Sequence, residues 1–124
     1  MTRLLPLAIA ALLLPGAASG STGTDLRITV WPQGPAGGAP HSWTLRCDPS
    51  GGTLPRAAEA CRRLTALSAP FAPVPANAVC AQVYGGPQVA TVRGTFRGRS
   101  VFATFKRTDS CQTARWSRVA FLFR

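Results

Sequence analysis

Leu26, Ile28 and Val30 alternate with Arg27 and Thr29, the pattern of a half-buried strand. Residues 32–41 are rich in Pro and Gly and read as a loop. Trp43, Leu45 and Cys47 alternate with Thr44 and Arg46 as a second strand, and Asp48-Pro49-Ser50-Gly51-Gly52 ends it in a turn. The period then changes. After Pro55, the residues Ala57, Ala60, Cys61, Leu64 and Leu67 recur at spacings of three and four, which predicts a helix with one apolar face. Pro55 suits a first helical turn. Glu59 near the start, with Arg62 and Arg63 nearer the end, matches the helix dipole.

Pro70, Pro73 and Pro75 punctuate an Ala-rich run over residues 68–79. Such a run excludes a helix interior or a central strand, and predicts a long, semi-rigid surface loop leading to Cys80. Past Pro87, three segments alternate: Ala90, Val92, Gly94 and Phe96; Val101, Ala103 and Phe105; and Val119, Phe121 and Phe123. Arg97-Gly98 fits a two-residue hairpin turn between the first two. Residues 112–117 suit a short helical turn. The pattern therefore predicts an α+β fold: an antiparallel sheet of about five strands, one longer helix packed on it and one short helix. Phe102 points away from Val101, Ala103 and Phe105, so the sheet carries apolar groups on both faces. With helix covering only one face, the other predicts a symmetric homodimer.

The 124 residues suffice for one domain with a modest core. With 46% apolar and only 15% charged residues, the chain is not a disordered polyelectrolyte. Its beginning reads as a leader. Arg3 precedes the apolar run Leu4–Leu14, broken only by Pro6, and Ala17-Ala18-Ser19-Gly20 offers small residues for signal-peptidase cleavage. The run is too short for a membrane span of roughly 20 residues. Residues 1–20 are thus expected to be a signal peptide, cleaved at 18–20, and 21–124 an exported domain. Export changes the reading of Cys47, Cys61, Cys80 and Cys111. An even count in a small secreted domain predicts two disulfides, and no C-x-x-C spacing suggests zinc or redox chemistry. Three pairings are possible. Sequential pairing, Cys47–Cys61 and Cys80–Cys111, is the economical one.

Several chemistries are hard to build here. His41 is the only histidine, and Asp25, Asp48, Glu59 and Asp109 are scattered, so no metal site or cofactor is expected. A Ser-His-Asp enzyme using His41 lacks a Gly-x-Ser-x-Gly elbow. His41 and the tryptophans Trp31 and Trp43 read as surface and packing residues. The formal charge of +10 comes from 14 basic residues, all but Lys106 arginine. Residues 88–124 contain Arg93, Arg97, Arg99, Lys106, Arg107, Arg115, Arg118 and Arg124 against the single acid Asp109. The alternative function is therefore a cationic extracellular module for nucleic acid, an anionic polymer or a membrane surface.

A resemblance sharpens the reading. The segment from Cys47-Asp48-Pro49 through Gly51 to Pro55, followed by Ala60-Cys61 and Leu64, resembles the signature of the Streptomyces subtilisin inhibitor family. Val79-Cys80-Ala81-Gln82-Val83-Tyr84 looks like that family's reactive-site stretch. Val92-x-Gly94-x-Phe96-x-Gly98, Val101, Cys111 and the ending Val119–Phe123 keep step with it. The resemblance implies a dimeric exported inhibitor of subtilisin-like serine proteases, with sequential disulfides and a five-stranded sheet. It implies that the Gln82–Val83 bond is presented to the protease, with Gln82 in the primary pocket and Ala81 and Tyr84 as flanking contacts. Leu54 stands where the family has His, Arg62 where a small residue or Asp is usual, Ala81 where it has Pro, and Gly85-Gly86-Pro87 where it has Asp-Pro. The last two changes predict a looser loop and weaker inhibition.

Overall fold

The computed structural model describes residues 10–12 and 23–124. The expected leader, residues 1–20, lies outside the described residues apart from 10–12. Among the described residues no helix is long and apolar enough to cross a membrane.

Four strands form one antiparallel sheet in the order β2-β1-β3-β4. They are β1 Thr24–Trp31, β2 His41–Cys47, β3 Val89–Phe96 and β4 Arg99–Phe105. The alternation sets the faces. Leu26 pairs with Leu45 and Ile28 with Val92, which in turn pairs with Ala103, so one row of apolar side chains points inward across the sheet. Leu26, Ile28, Leu45 and Val92 are essentially closed to solvent. The β3–β4 turn is the expected two-residue hairpin. Arg97 and Gly98 both have positive φ, 49° and 78°, as the turns that suit twisted hairpins demand.

Helix α1 spans Ala57–Ala66 and buries Ala60 and Leu64, the face read from the spacing. Pro55 falls just before it rather than inside it, because Arg56 takes a left-handed conformation with φ 56° and starts the helix at Ala57. Full burial of Leu64 contributes about 1.5–3 kcal/mol. Both disulfides are sequential: Cys47–Cys61 and Cys80–Cys111, with Cα atoms 5.7 and 5.4 Å apart.

Two expectations change. Among the described residues the sheet has four strands, not five. Val119 to Phe123 instead follows helix α2, Ser110–Arg118, directly and forms a single 3-10 turn, Ala120–Leu122. The alternation Val119/Phe121/Phe123 overlooked Leu122, which is also fully buried. Val119 and Leu122 sit three apart, a helical spacing, and the N–H of Leu122 donates to the carbonyl of Val119. The short helical turn expected at 112–117 is a nine-residue helix. Asp109 caps it, its side chain accepting from the backbone N–H of Gln112 at 2.9 Å.

Both helices and the C-terminal turn lie on the inner side of the sheet. The outer face carries the row Thr44, Arg27, Arg93 and Phe102 across all four strands. Phe102 is 67% exposed, and the Arg93 guanidinium stacks over its ring at 4.4 Å. Trp43 packs against the core, as expected, and exposed His41 stacks beside it with ring centroids 6.2 Å apart.

Candidate functional site

The Cys80–Cys111 bridge and the proline run deliver residues 79–85 to the surface beside the start of α2. Cys80 is tied there by its disulfide to Cys111, in the first turn of the helix. Ala81, Gln82, Val83 and Tyr84 are all exposed, Val83 by 64% and Tyr84 by 65%. They belong to no strand or helix, yet they are not loose.

The clamp on the N-terminal side is Ser110. Its backbone N–H donates to the Ala81 carbonyl at 3.0 Å, and its Oγ accepts from the Ala81 N–H at 2.8 Å. The helix supplies that donor because the first N–H groups of any helix lack intrahelical acceptors. The Ala81 carbonyl accepts a second bond, from the N–H of Val83 at 2.8 Å, closing a three-residue turn centred on Gln82. The clamp on the C-terminal side is Gly85, whose N–H donates to the Arg107 carbonyl at 2.7 Å. Gln82, Val83 and Tyr84 therefore stand between two fixed points, both on the segment 107–111.

A family model described as subtilisin inhibitor-like matches residues 22–110, a span that holds three of the four cysteines and the whole of this loop. The chain belongs to the subtilisin inhibitor-like family. No curated protein matches it.

Within this subtilisin inhibitor-like domain the loop departs from the looseness expected of it. Gly85 is pressed onto α2: a Cβ added there would lie 2.8 Å from Thr113 Oγ1 and 3.1 Å from the Arg107 carbonyl oxygen. A side chain at this position would lift the loop off the helix, so Gly85 acts as a contact point rather than a hinge. Ala81 loses a proline's restraint but keeps an N–H, and that N–H is in use.

The proline run is anchored as well. Pro70 is buried, and the Phe71 ring meets Phe96 and Phe105 at centroid distances of 5.2 and 6.5 Å. Arg115, on α2, donates to the carbonyls of Ala72 at 2.8 Å, Phe71 at 3.3 Å and Thr104, while its guanidinium lies 4.0 Å from the Phe105 ring centroid. Burial lowers the Arg115 pKa below the ordinary arginine value; arginine stays charged through such a shift. Arg118 donates to the Ser68 carbonyl at 2.9 Å. Helix α2 thus holds the strut, the disulfide and the N-terminal side of the loop, and Arg107, just before the helix, holds the other side.

The reading of the sequence brought together Cys80, Ala81, Gln82, Val83, Tyr84 and Cys111, and these are together. It placed Val79 in the same stretch but gave it no role; Val79 is apolar and 99% exposed, and it continues the exposed stretch toward the N-terminus. It missed Ser110 and Arg115. The Asp109-Ser110 pair before Cys111 was a legible helix start. Nothing in the pattern marks Arg115, whose partners are backbone carbonyls distant in sequence. Cys80, Cys111 and Asp109 do lie close together, but both sulfurs are spent in the disulfide, which removes thiolate ligation.

Proposed function

We propose that this chain is an exported, substrate-like inhibitor of subtilisin-type serine proteases that presents the Gln82–Val83 bond. The observation that carries the reading is the pair of clamps at Ala81 and Gly85, which leave Gln82, Val83 and Tyr84 exposed between them. A protease binds extended chain by backbone pairing and takes side chains in alternating pockets. A loop ordered beforehand loses little entropy on binding. Ala81 and Tyr84 flank the bond, and Val79 supplies an apolar group further along the same exposed stretch.

The hydrogen bond inside the loop suggests why cleavage would be slow. The N–H of Val83 belongs to the Gln82–Val83 peptide and donates to the Ala81 carbonyl. Attack by the protease serine breaks that peptide, leaving an acyl group on Gln82 and an amine on Val83. The amine keeps its partner on the acyl side, and Gly85 and Cys80 keep both ends on the segment 107–111. It can therefore attack the acyl group, expel the serine and remake the original peptide before water does.

Gln82 sets the target class. It is long and neutral, so it cannot satisfy the buried carboxylate of a trypsin-like pocket. A broad, apolar pocket accepts its methylenes and gains little from its amide. Titrating subtilisin with the pure protein is expected to remove activity, with a new N-terminus at Val83 emerging slowly. Gln82→Met is expected to tighten the complex, and Gln82→Lys to create trypsin inhibition. Rapid digestion without a lag, or a first cut elsewhere, would overturn the proposal.

The reading also assigns the uncovered sheet face, with Phe102 on its edge strand and Arg93 beside it, to a second copy of the chain. Sedimentation at micromolar concentration is expected to give a dimer, and a monomer rejects this part. The alternative, a cationic module for polyanions, draws support from Arg27, Arg46 and Arg93 on that face against Asp25 alone. Salt separates the two functions: polyanion binding falls steeply as salt rises, whereas a protease complex built on shape persists.

A further inference from the structure

Ala81 precedes the residue that enters the protease pocket, so its two torsions aim the bond that follows. Its N–H belongs to the peptide plane on one side and its carbonyl to the plane on the other. Both polar groups are bound, and both by one residue: the Ala81 N–H donates to Ser110 Oγ at 2.8 Å, and the Ser110 N–H donates to the Ala81 carbonyl at 3.0 Å. Fixing both planes to a single rigid point fixes φ and ψ together. A proline in place of Ala81 would fix φ alone. Ser110 is itself held, since it is the first residue of α2, directly after the Asp109 cap and before the Cys111 disulfide. The same Ala81 carbonyl accepts the Val83 N–H, so the orientation set at Ala81 passes to the Gln82–Val83 peptide.

We propose that Ser110 is a positioning residue for the Gln82–Val83 bond, and that its grip on both backbone groups of Ala81 takes the place of a proline restraint. The proposal rests on the inhibitor reading for its consequence, but the grip itself concerns the free protein. It carries a strong requirement on the pair of positions. The ring carbon of a proline replacing Ala81 would extend about 1.5 Å from the nitrogen toward Ser110 Oγ, where only 2.8 Å separates the two atoms now. The hydroxyl and the ring therefore exclude each other. Two combinations restrain the loop: Ala81 with Ser110, or a proline at the first position with a residue lacking the hydroxyl at the second. The two mixed combinations do not.

Ser110→Ala isolates the hydroxyl. Alanine is well tolerated in a first helical turn, the Asp109 cap is untouched, and the backbone N–H at 110 remains. Removing one hydrogen bond is expected to make cleavage at Gln82–Val83 by bound subtilisin about three- to tenfold faster, with the melting temperature lowered by only several degrees. Ala81→Pro alone is expected to be cut faster than the parent as well. The double variant Ala81→Pro/Ser110→Ala is expected to return to the parent's rate or below it. Two faster single variants and a restored double cannot arise from a general loss of stability. A Ser110→Ala protein cleaved at the parent rate, or a double variant worse than both singles, overturns the proposal. Amide exchange in the free protein separates this from failure of the inhibitor reading. If the parent inhibits no protease in a serine-protease panel, that reading falls, and exchange at the Val83 amide decides the grip. Exchange raised about three- to tenfold in Ser110→Ala sustains it, and unchanged exchange refutes it.

Discussion

The two helices each carry one cysteine of a disulfide, and they do opposite work. Helix α1 is a core element. It buries Ala60 and Leu64 and is bonded through Cys61 to Cys47 at the end of β2. Helix α2 has no fully buried residue. Trp116 packs against the core, but most of the helix's named contacts hold exposed chain: Ser110 on Ala81, Cys111 on Cys80, Thr113 beneath Gly85, and Arg115 on the carbonyls of Phe71, Ala72 and Thr104. Apolar burial holds α1 to the sheet without specifying small displacements, whereas directional bonds from α2 hold a stretch of exposed backbone in one shape. The first helix should set how stable the protein is, and the second how well its loop resists a protease.

Three perturbations break or sharpen that contrast. Leu64→Ala opens a cavity under α1 and is expected to cost about 2–5 kcal/mol in a urea unfolding curve. Each molecule that remains folded should nevertheless inhibit as before, so inhibition corrected for the folded fraction stays level. The disulfides come next. Removing Cys47–Cys61 or Cys80–Cys111 as serine pairs should cost about 3–4 kcal/mol each, slightly more for the longer loop; the sequence separations are 14 and 31. The two losses should differ in kind. Without Cys80–Cys111 the folded protein becomes an ordinary substrate cut at Gln82–Val83, while without Cys47–Cys61 it does not. Equal cleavage rates for the two serine pairs would erase the distinction. The smallest effect is expected from Asp109→Ala, which removes the α2 cap for about 0.5–2 kcal/mol. It frays the helix at the end that holds the loop, so mass spectrometry should find faster cleavage at Val83 out of proportion to the small change in melting.

The contrast also explains what could be read in advance. The strands and α1 follow from burial, and burial leaves a period. Leu26/Ile28/Val30 and Ala60/Leu64 reveal their elements because each must hide one side. Helix α2 hides no side fully, so its pattern suggested only a short turn at 112–117. The C-terminus fails for a related reason: Val119, Phe121 and Leu122 are all buried, and a segment enclosed on every side has no unique period. Gln82, Val83 and Cys80 were identifiable from a stretch of motif. The bonds that shape them were not, because Arg115 and Ser110 act on backbone groups, which look alike in every sequence. Gly85 shows the limit most clearly. Its residue type suggested slack, and only its contact with Thr113 and Arg107 shows that it is tight.

The clamps stop at Ala81 and resume at Gly85, and the three residues between them contribute exposed side chains that the core does not use. Selection on those three codons is therefore released from selection on folding. A lineage pressed by a changing protease can exchange the residue at 82, or its neighbours at 83 and 84, without a compensating change elsewhere. The positions bordering them, 81 and 85, have no such liberty and must drift, if at all, in step with 110 and 113. Divergence among descendants of this chain should accordingly be fastest at the three residues proposed to meet the target, and slowest at the inconspicuous ones that frame them.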